Sequence, residues 1–189
     1  TQRTARKEVD ASIDRLIYFA GWADKYQQVF SAVNPVASSH FNFSVLEPTG
    51  VVSIIAPDDS GLLGLVSNVA PTIVGGNTCV VLASELIPLS AVSFAEVLHA
   101  SDVPAGVVNI LTGLRSELTE HFASHMDVNA IVFCDGARKT ARTVQELASD
   151  NIKRVIARAD IDWSRDSAQH PYLIRDTQEV KTTWHPIGS

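Results

Sequence analysis

The chain has 189 residues, 46% of them hydrophobic, and carries a formal net charge of −6 with a pI of about 5.4. This length can bury one sizeable hydrophobic core, and the composition excludes an intrinsically disordered polypeptide. The negative charge and the scattered basic residues argue against a broad nucleic-acid surface, and no apolar segment is long enough to span a membrane.

The first 50 residues predict a helix followed by an extended segment. Between residues 5 and 30, apolar side chains recur at helical spacing and predict one buried stripe. This stripe consists of Val9, Ile13, Leu16, Ile17, Ala20, Ala23 and Tyr26. Residues 36–48 alternate loosely between polar and apolar side chains, which predicts a strand or hairpin that ends at Pro48.

From residue 51 onward, short apolar runs alternate with helical segments. The predicted strands are 51–56, 79–83, 107–112, 130–134 and 153–158, and the predicted helices between them are 61–76, 88–101, 116–125 and 137–149. We expect Asp58, Asp59 or Ser60 to cap the first of these helices and Gly75-Gly76 to end it. The alternation predicts an α/β fold, with a Rossmann-like parallel sheet and helices on both faces.

The alternation stops after Asp160. Residues 159–171 are charged, contain turn formers and lack an apolar period, so they are predicted to form a linker loop. Residues 172–184 alternate well enough to predict one long strand. Because no helix follows, we expect this strand to form a small antiparallel element with residues 36–48, or to pair with another subunit.

The thiols and histidines offer few sites for chemistry. Cys79 and Cys134 each lie inside an apolar run, so we expect both to be buried and reduced, in a reducing compartment such as the cytoplasm. His121 and His125 have a spacing that can bind zinc on a helix. No third ligand is evident in the sequence, so no metal site is expected.

The segment 130–142, AIVFCDGARKTAR, has the form of a strand that enters a helix through a turn with a glycine. Corners of this kind often bind phosphate groups in α/β proteins. Here, however, Asp135 stands at the turn. The shape of this corner does not by itself decide whether the segment is a nucleotide site, an altered nucleotide site, or only a bend in the chain.

Four ordered motifs resemble the coenzyme-binding half of the aldehyde dehydrogenase superfamily. They are EPTGVVSIIAP (47–57), VAPTIVGGNTCVVLASELIPLSA (69–91), VPAGVVNILTG (103–113) and HMDVNAIVF (125–133). The segments 14–25 and 177–184 are similar to the family's initial helix and its C-terminal oligomerisation strand. The resemblance implies an initial helix in 1–35, a Rossmann-like coenzyme-binding domain in 51–158, and oligomerisation-type strands in 36–50 and 172–189.

The catalytic half of the family pattern is missing from this sequence. In the family, N-x-K-R-V leads to E-L-G-G-K and then to a domain with a nucleophilic cysteine, whereas NIKRV (151–155) leads here through a loop to the terminal strand. The shortening resembles the second module of aldehyde dehydrogenase family sixteen, whose members carry a full-length module first. It implies a non-catalytic, structural domain of a longer polypeptide whose other module oxidises aldehydes with NAD.

The resemblance places the vestigial cofactor positions at Glu85, Gly113, Asp135 and Gly136. LASE (82–85) keeps the acidic residue of the family's K-P-S-E but has Leu82 in place of the lysine that contacts the adenosine ribose. Gly113 matches a glycine that allows close backbone approach, although Leu114 and Arg115 depart from the small residues expected next to it. The resemblance therefore implies a weakened dinucleotide site.

The pyrophosphate corner of the family, F-T-G-S, becomes FCDG (133–136) in this chain. Asp135 replaces the glycine that gives room to the pyrophosphate, and Gly136 replaces the serine that donates to it. An anion roughly 5 Å from a phosphate costs about 3 kcal/mol at an effective dielectric near 20. Arg138 and Lys139 are expected to face water, so we expect no cofactor in this chain, with NAD bound only in the parent protein.

No catalytic residue is expected in this chain. A thiohemiacetal mechanism needs an accessible thiolate and donors for an oxyanion. Buried Cys79 and Cys134 do not supply the first, and Asp59 stands where the family has an asparagine donor.

The expected partners are a second copy of the chain, in a homodimer, and the catalytic module of the parent. A long alternating strand exposes hydrogen-bonding edges unless it is paired. Two alternatives stay open. Glu85 and Gly113 favour a regulatory domain that still binds a dinucleotide or a metabolite, and the loop at 160–171 could dock an unrelated protein.

Overall fold

The computed structural model describes residues 1–188 and combines a five-stranded parallel sheet with a three-stranded antiparallel sheet. The helices are α1 (Gln2–Ala20), α2 (Tyr26–Phe30), α3 (Leu63–Val74), α4 (Leu89–His99), α5 (Arg115–Ser124), α6 (Arg138–Ala148) and α7 (Tyr172–Arg175). The strands are β1 (Ala32–Asn34), β2 (His40–Pro48), β3 (Val51–Ile55), β4 (Thr78–Leu82), β5 (Val108–Leu111), β6 (Ala130–Phe133), β7 (Arg154–Ala157) and β8 (Gln178–Pro186). The predicted fold class is therefore confirmed.

The parallel sheet has the strand order β5-β4-β3-β6-β7. The chain runs outward from the central strand β3 through β4 to β5, and then crosses back to β6 and β7. The direction of winding thus reverses between β3 and β6. In open α/β sheets, a ligand crevice lies outside the carboxyl ends of the strands at such a reversal.

The core lies on both faces of the parallel sheet, because successive strand residues point to opposite sides. Ile54 packs with α3 and α4 side chains such as Val66 and Phe94. Its neighbour Ile55 packs on the other face with Phe122 of α5 and Val144 of α6. This two-sided burial explains why the strands read as continuous apolar runs.

The predicted buried stripe of the first helix is only partly correct, since Leu16 packs against the core and Tyr26 is buried, but three of its members are exposed. Val9, Ile13 and Ile17 are 44%, 49% and 65% exposed. The face that α1 buries is instead made by Ser12, Arg15 and Phe19. Helical spacing predicted a helix here, but tertiary contacts chose its buried face.

Arg15 is buried because polar partners surround its guanidinium. It donates to Ser67 Oγ at 2.9 Å in α3, and to the carbonyl oxygens of Ala168 at 2.8 Å and Trp163 at 3.0 Å. Burial nevertheless lowers the pKa of Arg15 from its usual value. These bonds offset the cost of removing the charge from water, so α1 holds the segment after β7 against α3.

The terminal strand pairs within the chain, although its bounds differ from the prediction. β8 runs antiparallel to β2 from His40↔Pro186 to Pro48↔Gln178, and β1 covers the other edge of β2. Residues 172–175 form α7 rather than strand, because Leu173 and Ile174 pack into a cluster with Phe19. Ser189, the end of the predicted 172–189 region, lies outside the described residues.

The irregular segment 159–171 packs onto the body of the protein. Trp163 and Ala168 are buried, and residues Asp166–Ala168 form a short 3₁₀ turn. Arg158, just before the segment, is buried as well and donates to Asn68 Oδ1 at 2.7 Å and to Asp176 Oδ2 at 3.0 Å. These contacts leave less of the segment free to dock another protein.

Candidate functional site at the carboxyl edge of the parallel sheet

A cleft of about 760 Å³ opens at the carboxyl edge of the parallel sheet, where the winding reverses between β3 and β6. We use "carboxyl edge" for the loops that follow β3, β4, β5 and β6. The charged residues lining the cleft are Glu8, Asp58, Asp59, Asp135, Asp160 and Asp162, with Lys7, Arg115 and Arg158. Six carboxylates against three cations make the cleft acidic, which disfavours a polyanionic ligand.

The corner after β6 is filled by its own carboxylate. Asp135 Oδ1 accepts a hydrogen bond from the backbone N–H of Ala137 at 2.9 Å, at the start of α6. In phosphate-binding corners, amides at this position face the phosphate. A Cβ on Gly136 would lie 3.2 Å from Asp160 Oδ1, so a second carboxylate borders the same turn.

Arg115 lies at the centre of the carboxyl edge, with its side chain only 15% exposed. Its Nε is 3.1 Å from Asp58 Oδ2, which makes an ion pair without the alignment of a hydrogen bond. Its Nη1 is 3.8 Å from Asp135 Oδ2, and its Nη2 donates to the carbonyl oxygen of Ala56 at the end of β3. The guanidinium thus joins the loops after β3, β5 and β6.

This role of Arg115 changes the charge balance predicted for Asp135. The sequence alone predicts that Asp135 is an anion with only Arg138 and Lys139 as possible counter-ions. Both of these are exposed, whereas Arg115 offsets part of the charge from a neighbouring loop. A sequence signal for the pair did exist, since Arg115 and Asp135 each stand where the family pattern has a small residue, in the loops after β5 and β6.

Glu85 is held by the same cluster. Its backbone N–H donates to Asp58 Oδ1 at 2.8 Å, and its Oε2 accepts from the backbone N–H of Arg115 at 2.9 Å, at the start of α5. Asp58, Glu85 and Arg115 therefore form a closed ring of contacts, which we call the Arg115 ring. The predicted cofactor positions Glu85 and Asp135 are brought together by it.

Gly113 lies two residues before Arg115, and the space where its side chain would lie is not empty. A Cβ on Gly113 would lie 2.6 Å from Leu118 Cδ1. The side chain of Leu118, one turn into α5, therefore lies directly beside the exposed Gly113, the position that the family resemblance assigns to close approach by a ligand.

The cap predicted for α3 is only partly correct. Leu62 occupies the N-cap position of α3, but Ser60 Oγ, two residues earlier, accepts from the backbone N–H of Gly64 at 2.9 Å and so binds an amide in the first turn. Asp58 instead belongs to the Arg115 ring, and Asp59 is exposed at the rim of the cleft. Glu8 of α1 binds the amides that the aspartates were expected to cap. Its Oε1 accepts hydrogen bonds from the backbone N–H groups of Leu62 and Leu63 at 3.0 and 3.2 Å.

Both cysteines are free and buried, as expected from their apolar surroundings. Burial raises the pKa of the Cys79 thiol to about 12, and burial does the same for Cys134. The Cys134 thiol donates to Asn68 Oδ1 at 3.6 Å, beneath the cleft. Neither sulfur has the environment of a nucleophile at neutral pH.

His121 and His125 do not gather further metal ligands. Both are exposed, and His125 Nδ1 accepts from the backbone N–H of Asp127 at 3.2 Å. Within residues 1–188, no group of three or more His, Cys, Asp or Glu side chains is placed to hold a metal ion. In the same part of the chain, none of the helices is long and apolar enough to cross a membrane.

The amino-acid sequence is similar to those of known aldehyde dehydrogenases. The model of the aldehyde dehydrogenase family matches residues 1–159. Hydroxyisobutyraldehyde dehydrogenase of Mycolicibacterium austroafricanum is 40% identical over 151 residues, which cover 80% of this chain and 29% of that protein. Retinal dehydrogenase 2 of Mus musculus is 33% identical over 184 residues, which cover 90% and 35%. The chain thus spans about a third of the length of these curated relatives.

A solved structure shares the fold. Betaine aldehyde dehydrogenase of Staphylococcus aureus, in complex with NAD+, superposes with a TM-score of 0.76 and is 26% identical. The superposition covers 83% of this chain and 31% of that one. The family match ends at residue 159, next to the point where the strand–helix alternation stops.

Proposed function

This chain belongs to the aldehyde dehydrogenase family, and from that premise we propose that it is a non-catalytic domain of a longer aldehyde dehydrogenase. Another module of the parent would carry out NAD-dependent aldehyde oxidation, as in the shortened second module of family sixteen. The observation that carries the proposal is that the carboxyl edge is occupied by the chain's own charged side chains.

The thiols argue against aldehyde chemistry in this chain. Attack on an aldehyde carbon needs a thiolate, and a thiol whose pKa is about 12 is ionised in roughly one molecule in 10⁵ at pH 7. Cys79 lies in β4, and Cys134 directly follows β6 beneath the cleft. An ionised Asp59, in the place of the family's asparagine, has no hydrogen to donate to an oxyanion.

The residues at the carboxyl edge do not fit NAD. The backbone amide of Ala137, which would face the pyrophosphate, is already bound by Asp135. Glu85, which the resemblance assigns to the ribose, accepts from Arg115. Phosphates entering the cleft would also meet its excess of carboxylates. We therefore propose that NAD is bound elsewhere in the parent protein.

The assembly role is supported by an open sheet edge. β8 pairs with β2 on one side, and its other edge has no strand partner within residues 1–188. Val180 is 59% exposed on this strand, and Trp184 is similarly open. A second copy could extend the sheet across a two-fold axis, while the exposed Val9, Ile13 and Ile17 of α1 offer a surface to the catalytic module. Reduced, buried thiols fit a cytoplasmic location.

Titration calorimetry tests the cofactor part of the proposal. We expect no heat of binding when NAD+ is titrated into the 189-residue chain at concentrations up to about 1 mM, equivalent to a binding free energy weaker than about −4 kcal/mol. A full-length aldehyde dehydrogenase serves as the positive control. Micromolar binding to this chain would contradict the proposal.

Light scattering coupled to size-exclusion chromatography tests the assembly part. We expect a dimer of the 189-residue chain, because an exposed nine-residue edge strand favours pairing. A stable monomer at all concentrations, together with unchanged assembly of the parent after removal of residues 178–189, would rule this out.

A second candidate function is a regulatory domain that binds a small metabolite. The open cleft of about 760 Å³ favours it, as does the buried Nε of Arg158, which lacks a hydrogen-bond partner among the described residues. Thermal-shift screening with small carboxylates and dinucleotides separates the two functions. A saturable rise in melting temperature favours regulation, and no rise favours the structural role.

A further inference from the structure

We infer that the carboxyl edge carries an internal ligand, in which four carboxylates and Arg115 take the positions of an external anion and its counter-charge. The loops after β3, β4, β5 and β6 are thereby held in place without any bound cofactor. The inference rests on the proposed function, because a chain that bound NAD would need these groups free.

The four carboxylates accept from backbone amides along the whole edge. Glu8 binds the amides of Leu62 and Leu63 at the start of α3. Asp58 and Glu85 bind amides in the loop after β4 and at the start of α5. Asp135 binds the amide at the start of α6.

The chemistry of helix starts explains three of these places, those of Glu8, Glu85 and Asp135. The first amides of a helix have no partner within the helix and carry a partial positive charge. Phosphate-binding proteins use such amides for their ligand. Hydrogen bonds from an amide to an ionised carboxylate are short and strong, so an internal carboxylate competes effectively for the same donors.

Most of these contacts cross between elements, which makes them structural links. Glu8 belongs to α1 but binds the start of α3, which lies 54 residues later in the chain. Asp58 joins the loop after β3 to the loop after β4, and Glu85 joins that loop to α5. Only Asp135 acts locally, two residues from its donor.

Arg115 supplies the counter-charge that allows the carboxylates to gather. Its guanidinium contacts Asp58 and Asp135 and donates to the carbonyl of Ala56. Without this cation, Asp58 and Asp135 would face each other across the cleft with no positive charge between them. Removal of the Arg115 side chain breaks its contact with Asp58 and opens the Arg115 ring, which frees Asp58 and the loop that Asp58 holds.

The test uses Arg115→Ala in the 189-residue chain, followed by thermal unfolding and amide hydrogen exchange. We expect the melting temperature to fall by about 4–8 °C. The amides of Glu85 and Ala137 should lose protection by roughly tenfold or more beyond any loss at Val132 in β6, whose exchange reports global unfolding. The matched control is Arg142→Ala, whose side chain is 81% exposed and forms a single ion pair with Glu146. Its melting temperature should change by less than about 2 °C.

A conservative variant keeps the test decisive if Arg115→Ala does not fold. Arg115→Lys retains the charge, but its single ammonium group cannot reach Asp58, Asp135 and the Ala56 carbonyl together. We expect a smaller fall in melting temperature and the same loss of protection at Glu85. The inference would be overturned if Arg115→Lys kept the melting temperature and amide protection of the wild type. It would also be overturned if Arg115→Ala and Arg142→Ala lowered the melting temperature equally.

Parallel titrations with NAD+ separate this inference from the proposed function. Both the proposed function and the internal ligand are supported if the wild-type chain does not bind NAD+ and the loop amides of the Arg115 variants lose protection. NAD+ binding by the wild type contradicts the proposed function and, with it, the internal ligand. Absence of NAD+ binding combined with unaffected loops in the variants overturns the internal ligand alone.

Discussion

The carboxyl edge of the parallel sheet and the outer edge of β8 present opposite arrangements of hydrogen-bonding groups. At the carboxyl edge, amides that a ligand could use are bound by Glu8, Asp58, Glu85 and Asp135. At β8, one side of a nine-residue strand has no strand partner within residues 1–188. Backbone amides at the first edge are therefore bound by the chain's own carboxylates, whereas backbone groups at the second edge are available for pairing.

The largest expected effect concerns the thiol beneath the filled edge. Cys134 and Cys79 should react with a disulfide reagent about 1,000-fold more slowly in the folded chain than in denaturant at pH 8, since burial raises the pKa of both thiols to about 12. Absorbance of the released thiol reports the rate. Fast labelling of Cys134 in the folded chain would show that the edge is open, and Cys79, deep in β4, is the internal control.

The raised thiol pKa values also set the sign of the alkaline pH dependence. Above the ordinary thiol pKa, the unfolded chain loses protons that the folded chain retains. Stability from these groups is therefore complete below about pH 9 and falls as the pH rises toward 12. Cys79→Ala should flatten this fall in unfolding experiments between pH 8 and pH 10.5, and an equally steep fall in that variant would contradict the assignment.

Arg15→Ala should produce the next largest effect, because the residue anchors the wall of the cleft. Its removal leaves Ser67 Oγ and the carbonyls of Trp163 and Ala168 without their buried donor. We expect a loss of about 3–5 kcal/mol in the free energy of unfolding, measured by denaturant titration. Arg165→Ala, at an exposed ion pair with Asp162, is the control and should change stability by less than about 1 kcal/mol. Equal losses would show that the wall does not depend on Arg15.

A charge placed on the open edge should weaken self-association without affecting the filled edge. Val180→Lys puts an ammonium group on the exposed face of β8, where two like charges would approach across a two-fold axis. We expect the dimer dissociation constant to rise about 10- to 100-fold in sedimentation experiments. Val97→Lys, at a similarly exposed position on α4, is the control. An unchanged dimer in Val180→Lys would place the contact elsewhere.

The smallest expected effect comes from restoring the family glycine at the corner after β6. Asp135→Gly removes one hydrogen bond to Ala137 and a distant contact with Arg115, so we expect a loss of about 1 kcal/mol. NAD+ binding should stay undetectable by calorimetry, because the Arg115 ring still occupies the edge. If this single change produced micromolar binding, the edge would be an ordinary cofactor site impaired at one residue.

The sequence predicted the parallel sheet well because each element carries its own local signal. Ala130–Phe133 is buried on both faces and reads as a continuous apolar run, so β6 was recognisable without any contact information. Gly75 and Gly76 likewise marked the end of α3. The terminal strand was less well placed, since Leu173 and Ile174 continue its alternation although they form a helical turn.

The candidate site was only half visible in the sequence. The family resemblance pointed to Glu85, Gly113, Asp135 and Gly136, yet it did not reveal that Asp58 and Arg115 hold Glu85, or that Glu8 binds the amides at the start of α3. Glu8 lies on a helix whose apolar pattern drew attention to Val9 and Ile13 instead. No local sequence pattern predicts that a glutamate will bind an amide 54 residues later in the chain.

The sequence by itself determined the order and type of the elements, the burial of both thiols and the family to which the chain belongs, because these depend on side-chain periodicity and on local motifs. Only the tertiary structure decided which face of α1 is buried and which carboxylate meets which amide. Hydrophobic periodicity reports a preference for burial, but a buried Arg15 becomes favourable only when three oxygen acceptors converge on it. Such convergence depends on the relative placement of distant segments, which the folded chain alone provides.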